Sequence, residues 1–451
     1  MPLVIDYWCE LAWLGGPAAE AGVLISLQDD RILSIRPGCG APPPGATVMP
    51  GLTLPGFANA HSHAFHRALR GRAQASTGSF WTWRDQMYAI AESLDPDTYH
   101  RLARATYAEM VRAGITAVGE FHYVHHQPGG RPYASPNAMG EALIAAAASA
   151  GIRLTLLDTC YLHGGLSAGG YSPRRGPQLR FGDDSSAQWA ERTTQSTSSA
   201  MVRMGAAVHS VRAVDPDAIE VVAGVADENR WPVHVHLSEQ IAENEQCLAA
   251  LGATPTRILD DAGLISARLT AIHATHLAAD DIGALGSSAA SCCCCPTTER
   301  DLGDGIGPAP ALAEAGSAIC LGTDSHAVID PFEECRALEL DQRQVSHRRG
   351  VFDSHSLLAA GTSAGYDSIG WPEGGRLAAG GLADFITVGL DSVRMAGTGA
   401  ATALPAAVFA ATAADVRQVV IGGKVVVRDG AHVSIDVRAE LHSSIAAVST
   451  P

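Results

Sequence analysis

The stretch LTLPGFANAHSH, residues 52–63, decides the interpretation of this chain. It starts as an apolar run and ends in two histidines separated by one serine, His61-Ser62-His63. Residues two apart in a β-strand point to the same face, so the two imidazoles project together. Paired neutral imidazoles are good ligands for zinc or another borderline metal. A single pair is a weak signal among 18 histidines, so its weight depends on what the later strands contribute.

The middle of the chain alternates strand-like and helical segments, which is typical of βα units and a parallel sheet. Helical patterns fill most of the gaps, for example at 96–113, 138–150, 215–229 and 240–251. The candidate strands cover residues 53–60, 115–122, 152–160, 205–210, 232–238, 269–275, 289–295 and 317–323. Eight strands are the number that a (β/α)8 TIM barrel needs, and barrel enzymes keep their chemistry at the C-terminal strand ends. The histidine pair would then lie at that face.

Short strands at both ends of the chain predict a second, smaller unit. Strand-like composition recurs at residues 23–27, 32–35, 383–388, 418–421 and 424–427. The last two segments predict a hairpin that turns at Gly422-Gly423. We predict that residues 1–52 and 381–451 pair into one small β-sandwich-like domain, and that the barrel occupies residues 53–380 between them.

Composition excludes several classes of protein. The chain has 451 residues, of which 47% are hydrophobic and 17% charged, an ordinary globular balance. Its formal net charge of −16, without a basic cluster, disfavours nucleic acid as a partner. No apolar run approaches the roughly 20 residues that span a bilayer, and the first residues lack the basic start and apolar stretch of a signal peptide. We therefore predict a cytoplasmic protein that acts on a small molecule without a membrane partner, and we expect a homodimer.

Lysine and cysteine usage narrows the chemistry. Lys424 is the only lysine, which excludes a Schiff-base or P-loop lysine, and also a lysine carbamate bridging two metals in the barrel. The ten cysteines include four in a row, Cys292 to Cys295, with no second CxxC pair to complete a structural zinc site. Free cysteines that act as small buried hydrophobes are the favoured interpretation.

Polar residues lie at the C-terminal ends of four later candidate strands, at positions where a barrel core does not need them. They are His209 and Arg212 at the end of strand four, His236 and Glu239 at the end of strand five, His273 at the end of strand six, and Asp324 at the close of strand eight. Taken singly, each has a structural explanation, since a strand-end histidine is usually hydrogen-bonded and an Asp-Ser pair commonly caps a helix. Together with the histidine pair they occupy the ends of five strands. Independent accidents do not readily produce that pattern.

The segments HSH, HLSE and GTDS, with the histidine of strand six, resemble the amidohydrolase superfamily in order and spacing. The resemblance implies one divalent metal ion bound by His61, His63, His236 and Asp324. Zinc is the expected ion, although iron and manganese also fit such ligands. Because the lysine count excludes the carbamate-bridged branch, the resemblance points to the branch that is rich in deaminases.

Longer segments narrow the resemblance to one family. Residues 55–65, 120–126, 295–299, 302–305 and 324–326 are similar to the N-formimino-L-glutamate iminohydrolases. This similarity implies hydrolysis of N-formimino-L-glutamate to N-formyl-L-glutamate and ammonia, a step of histidine degradation. The chain departs from the family at His66, where glutamine is usual at a position associated with substrate contact. A histidine there still donates a hydrogen bond, but it has another shape and titrates near neutrality.

The resemblance also implies a role for each candidate residue. Asp324 holds and deprotonates the attacking water, Glu239 carries a proton to the departing nitrogen, and His273 stabilises the tetrahedral centre. Arg212 pairs with a substrate carboxylate as a bidentate fork. The candidates for the remaining substrate hydrogen bonds are His66, Tyr123 and His209. Six further histidines are interpreted as structural or supporting residues: His122, His125, His126, His234, His276 and His326.

Three other functions are compatible with parts of this pattern. A deaminase of a cyclic amidine or nucleobase would use the same ligands and would want stacking walls, for which Phe80, Trp81 and Trp83 are candidates. An amidase-like hydrolase could share the Arg212 clamp. A non-enzymatic barrel with a structural metal would have no use for the acid–base pair of Glu239 and His273. Arg212 after strand four favours an acyclic, acidic substrate.

Overall fold

The computed structural model describes residues 4–75, 77–78 and 80–448, and the description of Phe80 is limited to its backbone. Its strands form two large sheets and one small hairpin. The strands are β1 (Val4–Ala12), β2 (Glu20–Gln28), β3 (Arg31–Arg36), β4 (Thr47–Pro55), β5 (Phe57–Ser62), β6 (Ile115–His122), β7 (Arg153–Cys160), β8 (Gly165–Ser167), β9 (Gly170–Ser172), β10 (Val202–Val208), β11 (Val233–Leu237), β12 (Leu269–His273), β13 (Ser291–Cys294), β14 (Ala318–Leu321), β15 (Phe385–Val388), β16 (Val416–Ile421), β17 (Lys424–Arg428) and β18 (Ala431–His432). The α-helices are α1 (Phe80–Ser93), α2 (Pro96–Arg112), α3 (Ala138–Ala150), α4 (Ser186–Thr193), α5 (Pro216–Asn229), α6 (Ile241–Leu251), α7 (Pro255–Asp261), α8 (Ala279–Ser287), α9 (Pro296–Leu302), α10 (Ala309–Ala315), α11 (Pro331–Ser346), α12 (Ser354–Ala359), α13 (Gly365–Ser368), α14 (Ala403–Phe409) and α15 (Val437–Val448).

The first large sheet is a parallel barrel. Its strand order is β5, β6, β7, β10, β11, β12, β13, β14, and each neighbouring pair is parallel. The seam between β14 and β5 closes just beyond the strand ends. There the N–H of Asp324 donates to the carbonyl of His61 at 3.0 Å, and the N–H of His63 donates to the carbonyl of Asp324 at 3.3 Å. This closed set of strands confirms the predicted (β/α)8 barrel.

The predicted first strand, 53–60, is divided between the two sheets. β4 ends at Pro55 in the second sheet and β5 begins at Phe57 in the barrel, so one apolar run serves two elements. Gly56 makes the change of partner possible. A Cβ at this position would lie 2.0 Å from Oγ1 of Thr116, so a larger residue would push the barrel wall away. The domain boundaries predicted from the sequence stay a prediction.

The second large sheet is built from both ends of the chain, as predicted. Its order is β18, β17, β16, β15, β4, β1, β2, β3, and β16 and β17 form the expected antiparallel hairpin. The sheet curls so that the edge strand β3 returns to the segment before β15: the N–H of Ile32 donates to the carbonyl of Gly381 at 2.9 Å. The apolar side chains enclosed by this curl include Tyr7, Ile25 and Phe385.

A buried ion pair joins the barrel to the second sheet. Nε and Nη2 of Arg153, the first residue of β7, lie 2.6 Å and 3.1 Å from the carboxylate oxygens of Asp384. The hydroxyl of Tyr366 donates to the same carboxylate at 2.9 Å. Because a buried charge is costly unless it is paired, this contact fixes how the two units meet.

The helices and cysteines also follow the sequence pattern. α2, α3, α5 and α6 confirm the four predicted helices, and Asp95 begins α2 as an N-cap whose side chain accepts the N–H of Thr98. The ten cysteines are free, and Cys292 to Cys295 are buried, as expected of small core residues. Among the helices of the described residues, none has the length and apolar character needed to cross a membrane.

Candidate active site

Four ligand-type side chains converge at the C-terminal face of the barrel. Nε2 of His236 lies 3.1 Å from Nε2 of His61 and 3.4 Å from Nε2 of His63. Oδ1 of Asp324 lies 3.3 Å from Nε2 of His61 and 3.5 Å from Nε2 of His63. Four ligands placed tetrahedrally about 2 Å from an ion are about 3.3 Å apart. The spacing of these four groups therefore fits a single cation.

The hydrogen bonds behind these ligands decide which ring nitrogen faces the centre. Nδ1 of His63 donates to the carbonyl of Phe121 at 2.9 Å, and Nδ1 of His236 donates to the carbonyl of His209 at 2.9 Å. A neutral imidazole that donates from Nδ1 carries a lone pair on Nε2. These lone pairs and an oxygen of Asp324 point at one another, and a metal cation between them would relieve the repulsion. The donor set therefore fits a divalent metal.

Strained backbone surrounds the same face. Ser238, His273 and Asp324 have φ values of 50°, 67° and 40°, in the left-handed region that non-glycine residues rarely occupy. Each of them lies where a barrel strand ends. Such conformations cost about 1–3 kcal/mol each and persist where the surroundings hold them. The strain therefore marks the strand ends at which the polar side chains gather.

Burial keeps the ligand histidines neutral. It lowers the pKa of His61, and it lowers the pKa values of His63 and His236 well below their ordinary value. Burial alone would raise the pKa of Asp324, but the hydrogen bond with His61 holds it below the usual range. Three neutral imidazoles and one carboxylate are the protonation states in which these groups bind a metal.

Glu239 and His273 form a second pair of titratable groups beside the ligands. Oε1 of Glu239 lies 3.8 Å from Nε2 of His273, and that nitrogen lies 3.9 Å from Oδ2 of Asp324. Burial raises the pKa of Glu239 to about 7, although His273 acts in the opposite direction. Burial alone would lower the pKa of His273, but the carboxylates around it, Glu239 foremost, raise it to about 10. A carboxyl group with a pKa near neutrality can both accept and donate a proton.

Glu299 was quoted from the sequence only as part of a motif, and the structure places it behind His273. Its Oε1 lies 3.2 Å from Nδ1 of His273 and accepts the N–H of Cys295 at 2.8 Å. Glu299 lies in the first turn of α9, directly after β13. The helix thus carries a carboxylate that orients the ring of His273.

Glu120 is a second supporting residue that sequence reasoning missed. Its carboxyl group accepts the hydroxyl of Ser62 at 2.6 Å and the N–H of Ala64 at 2.7 Å. Burial raises the pKa of Glu120 to about 8. Ser62 ends β5 and lies between the predicted ligands His61 and His63, so Glu120 on β6 holds the segment that presents them.

A cavity of about 260 Å³ opens above the ligand cluster. It is lined by His63, His66, Trp81, Trp83, Arg84, Met87, Tyr88, Tyr123, Tyr161, His163, Gly164, Gly165, Leu166, Phe181, His209, Ser210, Arg212, Ala213, His236, Glu239, Gln246, His273, Leu302 and Asp324. Every residue predicted to hold metal, move protons or bind substrate lines this cavity, with the exception of His61. His61 is fully buried. Of the predicted apolar wall, Trp81 and Trp83 line the cavity, and the side chain of Phe80 lies outside the described residues.

Two arginines face the cavity. Arg212 lies with its Nε 3.5 Å from Oε2 of Glu243, and Nε makes no hydrogen bond in the described part of the chain. Arg84 was missed by sequence reasoning because it lies on α1, away from any strand end. Its guanidinium carbon is 4.4 Å from the ring centre of Trp81 and 5.5 Å from that of Tyr88. The cavity therefore presents two cations to a ligand.

The three candidates for neutral hydrogen bonding lie close together in the same cavity. Nε2 of His66 is 3.0 Å from the hydroxyl of Tyr123, and the ring of Tyr123 packs against that of His209 at 5.7 Å. Burial lowers the pKa of His66 to about 3, so this ring is neutral. The six histidines interpreted as supporting residues do not line the cavity; they are His122, His125, His126, His234, His276 and His326.

Comparisons with known proteins identify the family of this chain. Residues 52–426 match the sequence profile described as the amidohydrolase family. The chain therefore belongs to the amidohydrolase family, a family of metal-dependent hydrolases, which confirms both the resemblance and the prediction of an enzyme.

Particular relatives narrow the comparison. Over 423 residues the chain is 36% identical to the formimidoylglutamate deiminase of Pseudomonas aeruginosa, with 91% of this chain and 92% of the relative covered. An amidohydrolase structure from Brucella melitensis superposes with a TM-score of 0.89 at 31% identity, covering 98% of this chain and 99% of the other. An adenosine deaminase from Xanthomonas campestris, solved with bound zinc, gives a TM-score of 0.83 at 22% identity, covering 98% and 97%, which shows the shared fold.

Proposed function

We propose that this protein hydrolyses N-formimino-L-glutamate to N-formyl-L-glutamate and ammonia, a step of histidine degradation. The observation that carries the proposal is one cavity with two arginines on its walls and a metal-ligand cluster with an acid–base pair at its floor. The 36% identity to a formimidoylglutamate deiminase over 91% of the chain supports this substrate.

We assign His61, His63, His236 and Asp324 as the ligands of one divalent cation. Zinc is the ion we propose, because three imidazoles and a carboxylate at tetrahedral spacing are ligands that it favours. When bound, such an ion lowers the pKa of water and thereby supplies a nucleophile near neutral pH.

The residues around the cation move the protons of the reaction. The attacking water adds to the formimino carbon and loses a proton to Asp324, whose Oδ2 faces His273 at 3.9 Å. Glu239 protonates the imino nitrogen, so that the tetrahedral carbon carries a hydroxyl and an amino group. The proton on Asp324 then passes to this amino group while the hydroxyl returns a proton to Glu239. The C–N bond breaks, the formyl C=O forms, and ammonia leaves. His273, positively charged in its carboxylate surroundings, stabilises the charge that develops at the tetrahedral centre.

The cavity walls select the substrate in this proposal. Arg212 and Arg84 each bind one of the two carboxylates of the glutamate portion, and charge-assisted bonds to arginine are the strong ones. Tyr123, His66 and His209 position the formimino group. Trp81 and Trp83 line the same cavity, and this observation favours a cyclic amidine as the second candidate substrate.

Ammonia release from matched compounds tests the proposal. The set comprises N-formimino-L-glutamate, N-formimino-L-aspartate, a neutral formamidine without carboxylates, and adenosine. We expect kcat/KM to be highest for the glutamate derivative. A preference for adenosine would overturn the substrate assignment while leaving the metal-hydrolase assignment intact.

Two further predictions concern the protein in its cell. We propose that it acts as a homodimer and in the cytoplasm, as predicted from the sequence. Light scattering of the purified protein measures the first, and fractionation of the source cells measures the second.

A further inference from the structure

A group of soft and hard ligand atoms lies on the far side of His273 from the predicted metal. One ligand atom each of His273, Cys295 and Glu299 lies within 4.8 Å of the other two. The three residues come from consecutive parts of the barrel: the end of β12, the position after β13 and the first turn of α9. Their exposed fractions are 3%, 0% and 8%, so water competes little for them.

The chemistry of the group suits a cation of intermediate softness. Imidazole, thiolate and carboxylate together are ligands of zinc and of its heavier analogue cadmium. The Nδ1 proton between His273 and Glu299 occupies the position that a cation would take. Burial, with a contribution from the charges of Asp324 and Glu299, raises the pKa of the Cys295 thiol well above its ordinary value, so a bound cation has to displace the thiol proton.

A second buried group of ligand-type residues differs from this one because an arginine already pairs with its carboxylate. One ligand atom each of His122, His125 and Asp158 also lies within 4.8 Å of the other two. There the guanidinium of Arg192 binds both oxygens of Asp158, at 2.8 Å and 2.9 Å. A cation already neutralises that carboxylate, so a metal gains nothing. Among the described residues no arginine lies within ion-pair distance of Glu299, and its group stays open to a metal.

We propose that His273, Cys295 and Glu299 form a second, inhibitory site for a soft divalent cation, Cd²⁺ or Zn²⁺ in excess. Binding displaces the thiol proton of Cys295 and the Nδ1 proton of His273 to solvent. His273 then exchanges its contact with Glu299 for one with the cation, which disturbs the ring that we assign to the tetrahedral centre. The binding itself is independent of the substrate; only the inhibition rests on the proposed function.

Cadmium titration of the enzyme loaded with its first metal tests this site. We expect a second equivalent of bound metal with a thiolate-to-cadmium absorption band in the near ultraviolet, together with loss of activity. Cys295→Ser and Cys295→Ala should lose the band and the second equivalent while keeping the first metal and the basal activity. Cys292→Ser is the matched control, because this thiol lies in the same strand and has a neighbour outside the group, Ser317.

Two results would overturn the proposal. One is an unchanged band and stoichiometry in both Cys295 variants. The other is cadmium that only replaces the first metal, with no second equivalent bound. If N-formimino-L-glutamate is not the substrate, the metal count and the absorption band still decide whether the site exists.

Discussion

Nδ1 of His273 lies 3.2 Å from Oε1 of Glu299, while the opposite ring nitrogen faces Glu239 at 3.8 Å. Glu299 therefore fixes both the orientation of the ring and the nitrogen that carries a proton towards it. The side chain that we assign to the tetrahedral centre is thus held from behind by a residue that does not line the cavity.

Replacing Glu299 by glutamine should lower kcat by about 10- to 100-fold, the usual effect of losing a supporting partner of this kind. The amide no longer stabilises a charged His273, so the pH profile of kcat should change as well. Metal content and KM should stay near the wild-type values, as measured by metal analysis and steady-state kinetics. Glu314→Gln, at an exposed acidic residue of α10, is the control. A normal kcat and pH profile in the Glu299 variant would show that His273 needs no such support.

Glu239→Gln should preserve the fold and the metal but lower turnover by about two to four orders of magnitude. The amide keeps the shape of the side chain and cannot carry a proton. Turnover and bound metal per chain are measured on the same preparation. Near-normal turnover with unchanged metal would remove Glu239 from the mechanism.

The variants Arg212→Met and Arg84→Met test whether these arginines bind the substrate carboxylates without taking part in the hydrolysis itself. A buried charge-assisted bond contributes roughly 1.5–3 kcal/mol, so each variant should lose about one to two orders of magnitude in kcat/KM for N-formimino-L-glutamate. The loss for a neutral formamidine without carboxylates should be much smaller. Equal losses on both compounds would mean that the arginine does not read a carboxylate.

His234 should make the fold sensitive to acid. Burial lowers its pKa to about 3, whereas an unfolded histidine titrates near 6.5. Below pH 6.5 the unfolded chain binds a proton that the folded chain does not. The contribution of His234 to the free energy of unfolding is therefore complete above pH 6.5 and falls by up to about 1.4 kcal/mol per pH unit towards pH 3.

Denaturant titrations between neutral and acidic pH measure this effect at constant metal concentration. His234→Gln should make the dependence on pH less steep by up to one proton. The exposed His442→Gln should not change it. Identical slopes in the wild type and the His234 variant would contradict the prediction.

The site residues that could be predicted from the sequence are those at the ends of strands with a clear apolar pattern. His236 lies near the end of β11, and Glu239 and Asp324 come shortly after β11 and β14. A closed barrel brings the C-terminal ends of its strands together at one face. The sequence did not indicate a role for Arg84 or Glu299, because both lie on helices, where a charged residue usually faces solvent. The role of Glu120 was not predicted because this residue lies inside a strand, and only the fold shows that it accepts a hydrogen bond from Ser62. The division of residues 52–62 between two sheets was not predicted, because one continuous apolar run predicts one strand.

The backbone bonds between Asp324 and His61 that close the barrel have a consequence for biosynthesis. The first two metal ligands emerge from the ribosome early, and the fourth emerges only after nearly the whole barrel has been made. A nascent chain that ends before Asp324 lacks both the last ligand and the seam that holds the first strand in place. On our ligand assignment, the complete four-ligand site therefore forms only after the last barrel strand has docked, and a prematurely terminated chain lacks it.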